Sequence, residues 1–180
     1  MFRHVATIAL LSLALLCLVY LSGSRQVFAQ PDKEGMNDAD KKFVTDAAQG
    51  GMAEVKLGQL AADKASDPDV KSFGQKMVED HGKANDQLKM LATQKNLAMP
   101  SDLGKHQKTY DKLSKLQGAD FDKAYVKEMV EDHKKDVKEF QKEAERGQDH
   151  DVKKWAAETL PTLQMHLTMI QDIDKRMNGK

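Results

Sequence analysis

The chain has 180 residues, with 28 basic side chains, 28 acidic side chains and a single cysteine. This charge balance gives no electrostatic basis for binding nucleic acid or an anionic membrane surface. With Cys17 as its only cysteine, the chain can form neither an internal disulfide bond nor a metal site built from several thiolates.

The N-terminal segment has the three parts of a secretory signal peptide. A positive start at Arg3 precedes an almost wholly apolar run over residues 5–21, and Val27-Phe28-Ala29 offers a site for signal peptidase. We predict a signal peptide over residues 1–29. The apolar run is long, so an uncleaved anchor in the inner membrane is the alternative.

The product of cleavage is predicted to be a periplasmic protein that begins at Gln30. Residues 30–37 are polar, contain Pro31 and Gly35, and are predicted to be a linker. Nothing after the leader is apolar enough to span a bilayer, so we predict no membrane span once the signal is removed. The leader carries two basic residues and no acidic one, which leaves a formal charge of −2.

The rest of the chain, residues 38–177, is predicted to be one all-α domain, a four-helix antiparallel bundle. Apolar residues recur in steps of three and four, which is the period of a helix with one buried face. The predicted helices are residues 38–65, 68–95, 119–146 and 149–177. Ser66-Asp67-Pro68 and Gly147 end the first and third helices, which gives two tight hairpins.

Residues 96–118 connect the two hairpins and are expected to contain a short helix. Pro100 and Gly104 interrupt the segment, and its length is enough to run from one end of the bundle to the other. We therefore predict a ferritin-like bundle with one long crossover, in which the second and third long helices run parallel. A plain up-down-up-down bundle is the alternative.

Each long helix carries one ionisable residue in the middle of its apolar stripe. These four residues are Glu54, His81, His133 and His166. At 1.5 Å per residue, each lies near the middle of a bundle about 42 Å long, so we expect all four in one core layer. His106 in the crossover and His150 at the start of the last helix are expected to face solvent.

Imidazole and carboxylate groups together form a competent set of ligands for a transition metal such as Zn, Fe or Cu. We therefore predict a metal site at Glu54, His81, His133 and His166, with Asp136 able to add a second carboxylate. A metal-free polar layer is the alternative, because the same groups can bond one another or a buried water. Met77 and Met129 are expected to be core residues.

Other chemistries have no motif in the sequence. The di-iron carboxylate pattern requires two Glu-x-x-His pairs, whereas Glu79 precedes His81 by two residues and Glu131 precedes His133 by two. The chain contains no His-Glu-x-x-His, nucleophile elbow, phosphate loop or dinucleotide fingerprint. We predict neither a catalytic nucleophile nor an organic cofactor.

Several motifs occur together between residues 41 and 173. They are Phe43-Val44 with Ala47-Ala48-Gln49-Gly50-Gly51-Met52-Ala53-Glu54, then Met77-Val78-Glu79-Asp80-His81, Gly118-Ala119-Asp120-Phe121-Asp122-Lys123-Ala124-Tyr125, His133, and Thr159-Leu160-Pro161-Thr162-Leu163 ahead of His166. With these motifs the chain resembles the exported bacterial family catalogued as domain of unknown function 4142. Its members are often labelled predicted outer membrane proteins, although this sequence does not support that label. The resemblance implies a ferritin-like periplasmic bundle and no established activity.

Two functions from different classes follow. The leading hypothesis is a periplasmic metal-binding bundle that serves envelope metal handling or oxidative stress, with a metal ion as its partner. The second is a metal-free structural or partner-binding bundle of the cell envelope.

Overall fold

The computed structural model describes residues 36–179, which form an all-α bundle. Its helices are α1 (Asp38–Lys64), α2 (Pro68–Gln94), α3 (Gln107–Leu113), α4 (Gly118–Arg146) and α5 (His150–Asn178), with a 3-10 turn at Gly104–His106 before α3. The four long helices begin and end within one residue of the predicted bounds. The predicted signal peptide and most of the predicted linker lie outside the described residues.

Side-chain caps explain why three of the long helices begin where they do. The side chain of Asn37 accepts a hydrogen bond from the backbone N–H of Asp40, at the start of α1. Asp67 caps α2 in the same way, just before Pro68, and Asp149 caps α5. Such caps satisfy backbone donors that have no partner inside the helix.

Buried aspartates at the two ends of the bundle establish the direction of the helices. Near the start of α4, Asp122 accepts hydrogen bonds from the backbone N–H groups of Ser66 and Asp67, in the α1–α2 turn. At the other end Asp40, near the start of α1, accepts from the backbone N–H of Asp149 in the α4–α5 turn. Since α4 is thus antiparallel to α1, it runs parallel to α2.

This arrangement is the predicted ferritin-like topology with one long crossover. Helix α1 packs against α2 and α4, and α5 packs against the same two helices, so α2 and α4 are diagonal partners. The segment between residues 95 and 117 therefore runs the length of the bundle and carries α3 along the outside of α1 and α4. No helix in the described part of the chain is long and apolar enough to cross a bilayer.

Two glycines bring α1 and α2 unusually close together. A Cβ atom built on Gly58 would lie 2.6 Å from the backbone oxygen of Gly74, and one on Gly74 would lie 2.7 Å from that of Gly58. Only glycine fits at such a crossing. The crossing lies one turn from Glu54, so it brings that residue close to α2.

The polar layer separates two apolar clusters in the core. The first cluster, toward the α1–α2 turn, includes Leu57, Ala61, Val70, Phe73, Met77, Phe121, Tyr125, Met129, Ile170 and Ile173. The second, toward the α4–α5 turn, includes Val44, Ala48, Leu88, Leu91, Phe140, Val152, Trp155, Ala156 and Leu163. On every long helix, the polar stripe residue lies between the residues that this helix contributes to the first cluster and those that it contributes to the second.

Candidate metal centre

The structure brings the four predicted residues together in the middle of the bundle. Glu54 and His81 are 2% and 5% exposed, and His133 and His166 are fully buried. The three imidazole rings lie 5.3–5.8 Å apart between centroids. Burying four such groups is costly unless each finds a partner, so their remaining hydrogen-bonding capacity indicates what the layer can bind.

Glu54 contacts two of the histidines. Its Oε2 lies 2.8 Å from Nδ1 of His81, and its Oε1 lies 3.5 Å from Nε2 of His133. His133 also directs Nδ1 at the backbone oxygen of Met129, 3.0 Å away. Because a carbonyl only accepts, Nδ1 of His133 carries the proton and Nε2 presents a lone pair toward Glu54. Only a proton on Glu54 or a cation makes that contact favourable.

His166 is held by a carboxylate on α2. Its Nε2 donates to Oδ2 of Asp80 at 2.8 Å, and Lys76 binds the same oxygen at 3.0 Å. Burial alone would raise the pKa of Asp80, but the hydrogen bonds from His166 and Lys76 lower it overall. Asp80 is therefore ionised at neutral pH, and Nδ1 of His166 keeps its lone pair.

One ring nitrogen of each histidine is left buried without a hydrogen-bond partner among the described residues. These atoms are Nε2 of His81, Nε2 of His133 and Nδ1 of His166. The three side chains each offer a nitrogen within 4.8 Å of the other two. Metal–nitrogen bonds of about 2.0–2.1 Å place ligand atoms roughly 3.3 Å apart, so a small inward movement would complete a three-histidine site.

Burial also sets the protonation of these rings. It lowers the pKa of His81 to about 4, of His133 to about 3 and of His166 to about 4. Imidazole binds a metal in its neutral form, so at neutral pH all three rings are ready to act as ligands. Burial and the charge of Asp132 raise the pKa of Glu54 well above its ordinary value.

Beside the histidines lies a group of carboxylates. Glu54, Asp132 and Asp136 each offer an oxygen within 4.8 Å of the other two. Burial, with Glu54 and Asp132 as neighbours, raises the pKa of Asp136 well above its ordinary value. A cavity of about 30 Å³, lined by Glu54, His81, Asp136 and His106 among others, adjoins this group.

The expectation that His106 faces solvent is wrong. The crossover lays this residue against α1 and α4, where its side chain is 11% exposed and its Nδ1 lies 3.9 Å from Oδ2 of Asp132. The ring lies next to Gly50, where a Cβ atom would lie at an ordinary contact distance of 3.9 Å from Nε2 of His106. His150 does face solvent, with 86% of its side chain exposed.

Sequence reasoning did not identify Asp80 and Asp132 as part of the centre. Both stand directly before a stripe histidine, in the repeated string Met-Val-Glu-Asp-His at residues 77–81 and 129–133. Asp80 binds His166 across the helix interface, and Asp132 faces the carboxylate group and His106. The repetition of the aspartate was the one feature that could have revealed both.

Taken together, the parallel α2 and α4, the long crossover and the buried layer define a ferritin-like bundle with an internal candidate metal centre. The chain belongs to the family described as Domain of unknown function (DUF4142), whose model matches residues 25–173. No curated protein matches the chain significantly.

Solved structures of other proteins share this fold. A DUF305 fragment from Deinococcus radiodurans has a TM-score of 0.68 at 11% identity and covers 79% of this chain and 99% of its own. A DUF305 protein from Streptomyces coelicolor has a TM-score of 0.63 at 18% identity, covering 75% and 91%. CopM in its Cu(I)-bound form has a TM-score of 0.63 at 15% identity, covering 77% and 97%. At these identities the likeness shows the fold alone.

Proposed function

We propose that this protein is a periplasmic metal-binding bundle that holds one transition metal ion at His81, His133 and His166, with Glu54 beside them as a fourth ligand. The observation that carries the proposal is the set of three buried ring nitrogens without a partner in the described bundle. Three buried ring nitrogens without a partner are costly, whereas a metal ion bound between the rings satisfies all of them.

The remaining contacts of the histidines suit this role. Metal-bound histidines usually donate their other ring N–H to a carboxylate or a backbone carbonyl, which fixes the ring and makes it a better ligand. Asp80 does this for His166, and the Met129 carbonyl does it for His133. Glu54 holds Nδ1 of His81, so the carboxylate both orients one ligand and approaches the site itself.

The ligand set favours Zn, Cu or Fe, which accept imidazole and carboxylate together. Copper has additional support, because CopM has the same fold and has been solved in Cu(I)-bound and Cu(II)-bound forms. A role in envelope metal handling or oxidative stress follows from an exported bundle with a metal centre. Export itself rests on the signal peptide predicted over residues 1–29.

The test is metal analysis of the untagged protein purified from the periplasm, followed by titration with Zn²⁺ and with Cu⁺. We expect one ion per chain in the wild type and none in His133→Asn. His150→Asn is the matched control, because it removes an exposed histidine far from the layer. If the wild type carries no transition metal and takes none up, the layer is a metal-free structural feature and this proposal fails.

Location is tested separately by the intact mass of the native protein. A periplasmic product that begins at Gln30 supports cleavage after Ala29. Recovery of the full mass, including Met1, from inner membranes would show an anchored protein instead.

A further inference from the structure

The carboxylate cluster, which is Glu54, Asp132 and Asp136, lies beside the histidine site and shares Glu54 with it. The two groups meet at Glu54. Its carboxylate contacts His81 and His133 on one side, and on the other it has an oxygen within 4.8 Å of an oxygen of Asp136. Three carboxylates so close together repel one another when ionised, and a proton or a cation among them relieves that repulsion.

Among residues 36–179, the carboxylate cluster forms no ion pair with a lysine or an arginine. The closest candidate is His106, whose Nδ1 lies 3.9 Å from Asp132 and whose pKa is lowered mainly by burial. Two exposed lysines, Lys105 and Lys135, line the same cavity. Both lysines are exposed, and neither forms an ion pair with the buried Glu54 in the described part of the chain.

A second observation points to a ligand at this place. Oε1 of Glu54 is buried and has no hydrogen-bond partner in the described part of the protein, although Glu54 is only 2% exposed. The adjoining cavity of about 30 Å³ is large enough for an ion or a water molecule. A buried carboxylate with an unpartnered oxygen, in the lining of a small cavity that Asp136 also lines, is what a cation site requires.

We propose that Glu54, Asp132 and Asp136 form a second cation site, which takes a divalent ion that prefers oxygen ligands and shares Glu54 with the histidine site. Carboxylates and water suit Mg²⁺, Mn²⁺ and Ca²⁺, whereas the neighbouring imidazoles suit Zn or Cu. Bonds of about 2.0–2.6 Å put oxygens on opposite sides of such an ion about 4–5 Å apart. The three carboxylate oxygens, within 4.8 Å of one another, meet that requirement.

The two sites together would make an asymmetric two-metal centre bridged by Glu54. The inference rests on the proposed function only through that shared residue, since Asp132 and Asp136 belong to the second site alone. Replacing Asp132 and Asp136 should therefore empty the second site and leave the histidine site able to bind its metal. Replacing a histidine should empty the histidine site and leave the second site able to bind.

The experiment uses Mn²⁺ as the probe on the untagged native protein, first emptied with chelator and then loaded with one equivalent of Zn²⁺. Equilibrium dialysis should show saturable uptake of one Mn²⁺ per chain by the wild type. The double variant Asp132→Asn, Asp136→Asn should lose that uptake and keep its zinc. Glu131→Gln is the matched control, because it neutralises an exposed carboxylate on the same helix and should change neither.

The converse variant separates this inference from the proposed function. His166→Asn should lose zinc and still bind Mn²⁺. If the wild type takes up Mn²⁺ but does not retain the added Zn²⁺, the histidine site is refuted and the carboxylate site is supported. Absence of saturable manganese uptake by the wild type, or equal uptake by the double variant, would overturn the second site and leave the histidine site untouched.

A second measurement does not depend on the variants folding. In the wild type, bound Mn²⁺ should broaden the ring NMR signals of His106, which borders the carboxylate cluster, and leave those of the distant His150 sharp. Equal broadening of both rings would show manganese bound at random on the surface, and the proposal would be wrong.

Discussion

Replacing Asp80 by alanine tests whether the contact with His166 serves metal binding. In the structure Asp80 accepts a hydrogen bond from Nε2 of His166 at 2.8 Å, and the only other partner of its carboxylate in the described chain is Lys76. Loss of such an orienting carboxylate typically weakens metal affinity by 10–100-fold, which corresponds to about 1.4–2.8 kcal/mol. We expect an increase of this size in the Kd for Zn²⁺.

The assay is competition for Zn²⁺ against a chromophoric chelator, at neutral pH, with helix content checked by circular dichroism. Two controls bracket the effect. Glu79→Ala removes an exposed carboxylate next to Asp80, and Lys76→Ala breaks the 3.0 Å ion pair on its outer side, a type of pair worth about 0–1 kcal/mol. A folded Asp80→Ala protein with the wild-type Kd would show that His166 does not bind the metal through Nδ1.

Three further predictions concern the layer and the ends of the bundle. His133→Leu should abolish metal binding without unfolding the apoprotein, as measured by metal titration and denaturant unfolding, because an apolar residue suits the stripe and leaves fewer buried polar atoms. Asp122→Ala should lower the free energy of unfolding by about 1–3 kcal/mol, because it orphans backbone donors in the α1–α2 turn, whereas the exposed Asp120→Ala should cost little. Glu143 should make stability fall as pH rises, since burial and the charge of Asp40 raise its pKa to about 7 from an ordinary value of 4.5. That contribution is complete below pH 4.5 and lost as pH rises through 7, and the difference in unfolding free energy between the wild type and Glu143→Gln measures it.

The polar layer could be predicted from the sequence because it depends only on regular helix geometry. The position of His81 relative to Glu54 follows from a known turn, Ser66-Asp67-Pro68, and from a fixed rise per residue. The caps at Asp67 and Gly147 locate that turn and its counterpart. The mid-height layer therefore follows for either topology of the bundle.

The partners of each ring could not be predicted, because they depend on side-chain rotamers and on small rotations of each helix. The stripe of α1 illustrates the rotation. Counting back from Glu54 in steps of four, three and four predicts buried positions at Gly50, Ala47 and Phe43, whereas Val44 and Ala48 are buried more deeply than Ala47 and Phe43. A helix that packs against two neighbours buries a face wider than one stripe, so adjacent positions share it.

His106 shows a different limit. The crossover has no long periodic pattern, and its path is set by where it can pack on finished helices. The left-handed backbone of Gly104, with φ of 51°, turns the chain just before His106, and a Cβ atom on Gly104 would clash with the side chain of Gln49 on α1. The glycine does not identify this contact in the sequence. The carboxylate cluster was for the same reason only partly visible, through Asp136.

Metal binding and the stability of the bundle should be coupled through the layer. Without metal, the fold carries three unpartnered ring nitrogens between two apolar clusters, and each such buried group costs about 1–3 kcal/mol. Binding to the folded state alone should add about 2.7 kcal/mol at a free Zn²⁺ concentration of 100 times Kd. For a domain of this size, that corresponds to a rise in Tm of roughly 5–12 °C. Differential scanning calorimetry should show the rise in the wild type and in His150→Asn, and show none in His133→Leu. An equal rise in Tm for His133→Leu would mean that the stabilising ion binds at a different place in the protein. The buried histidines would then not be its ligands.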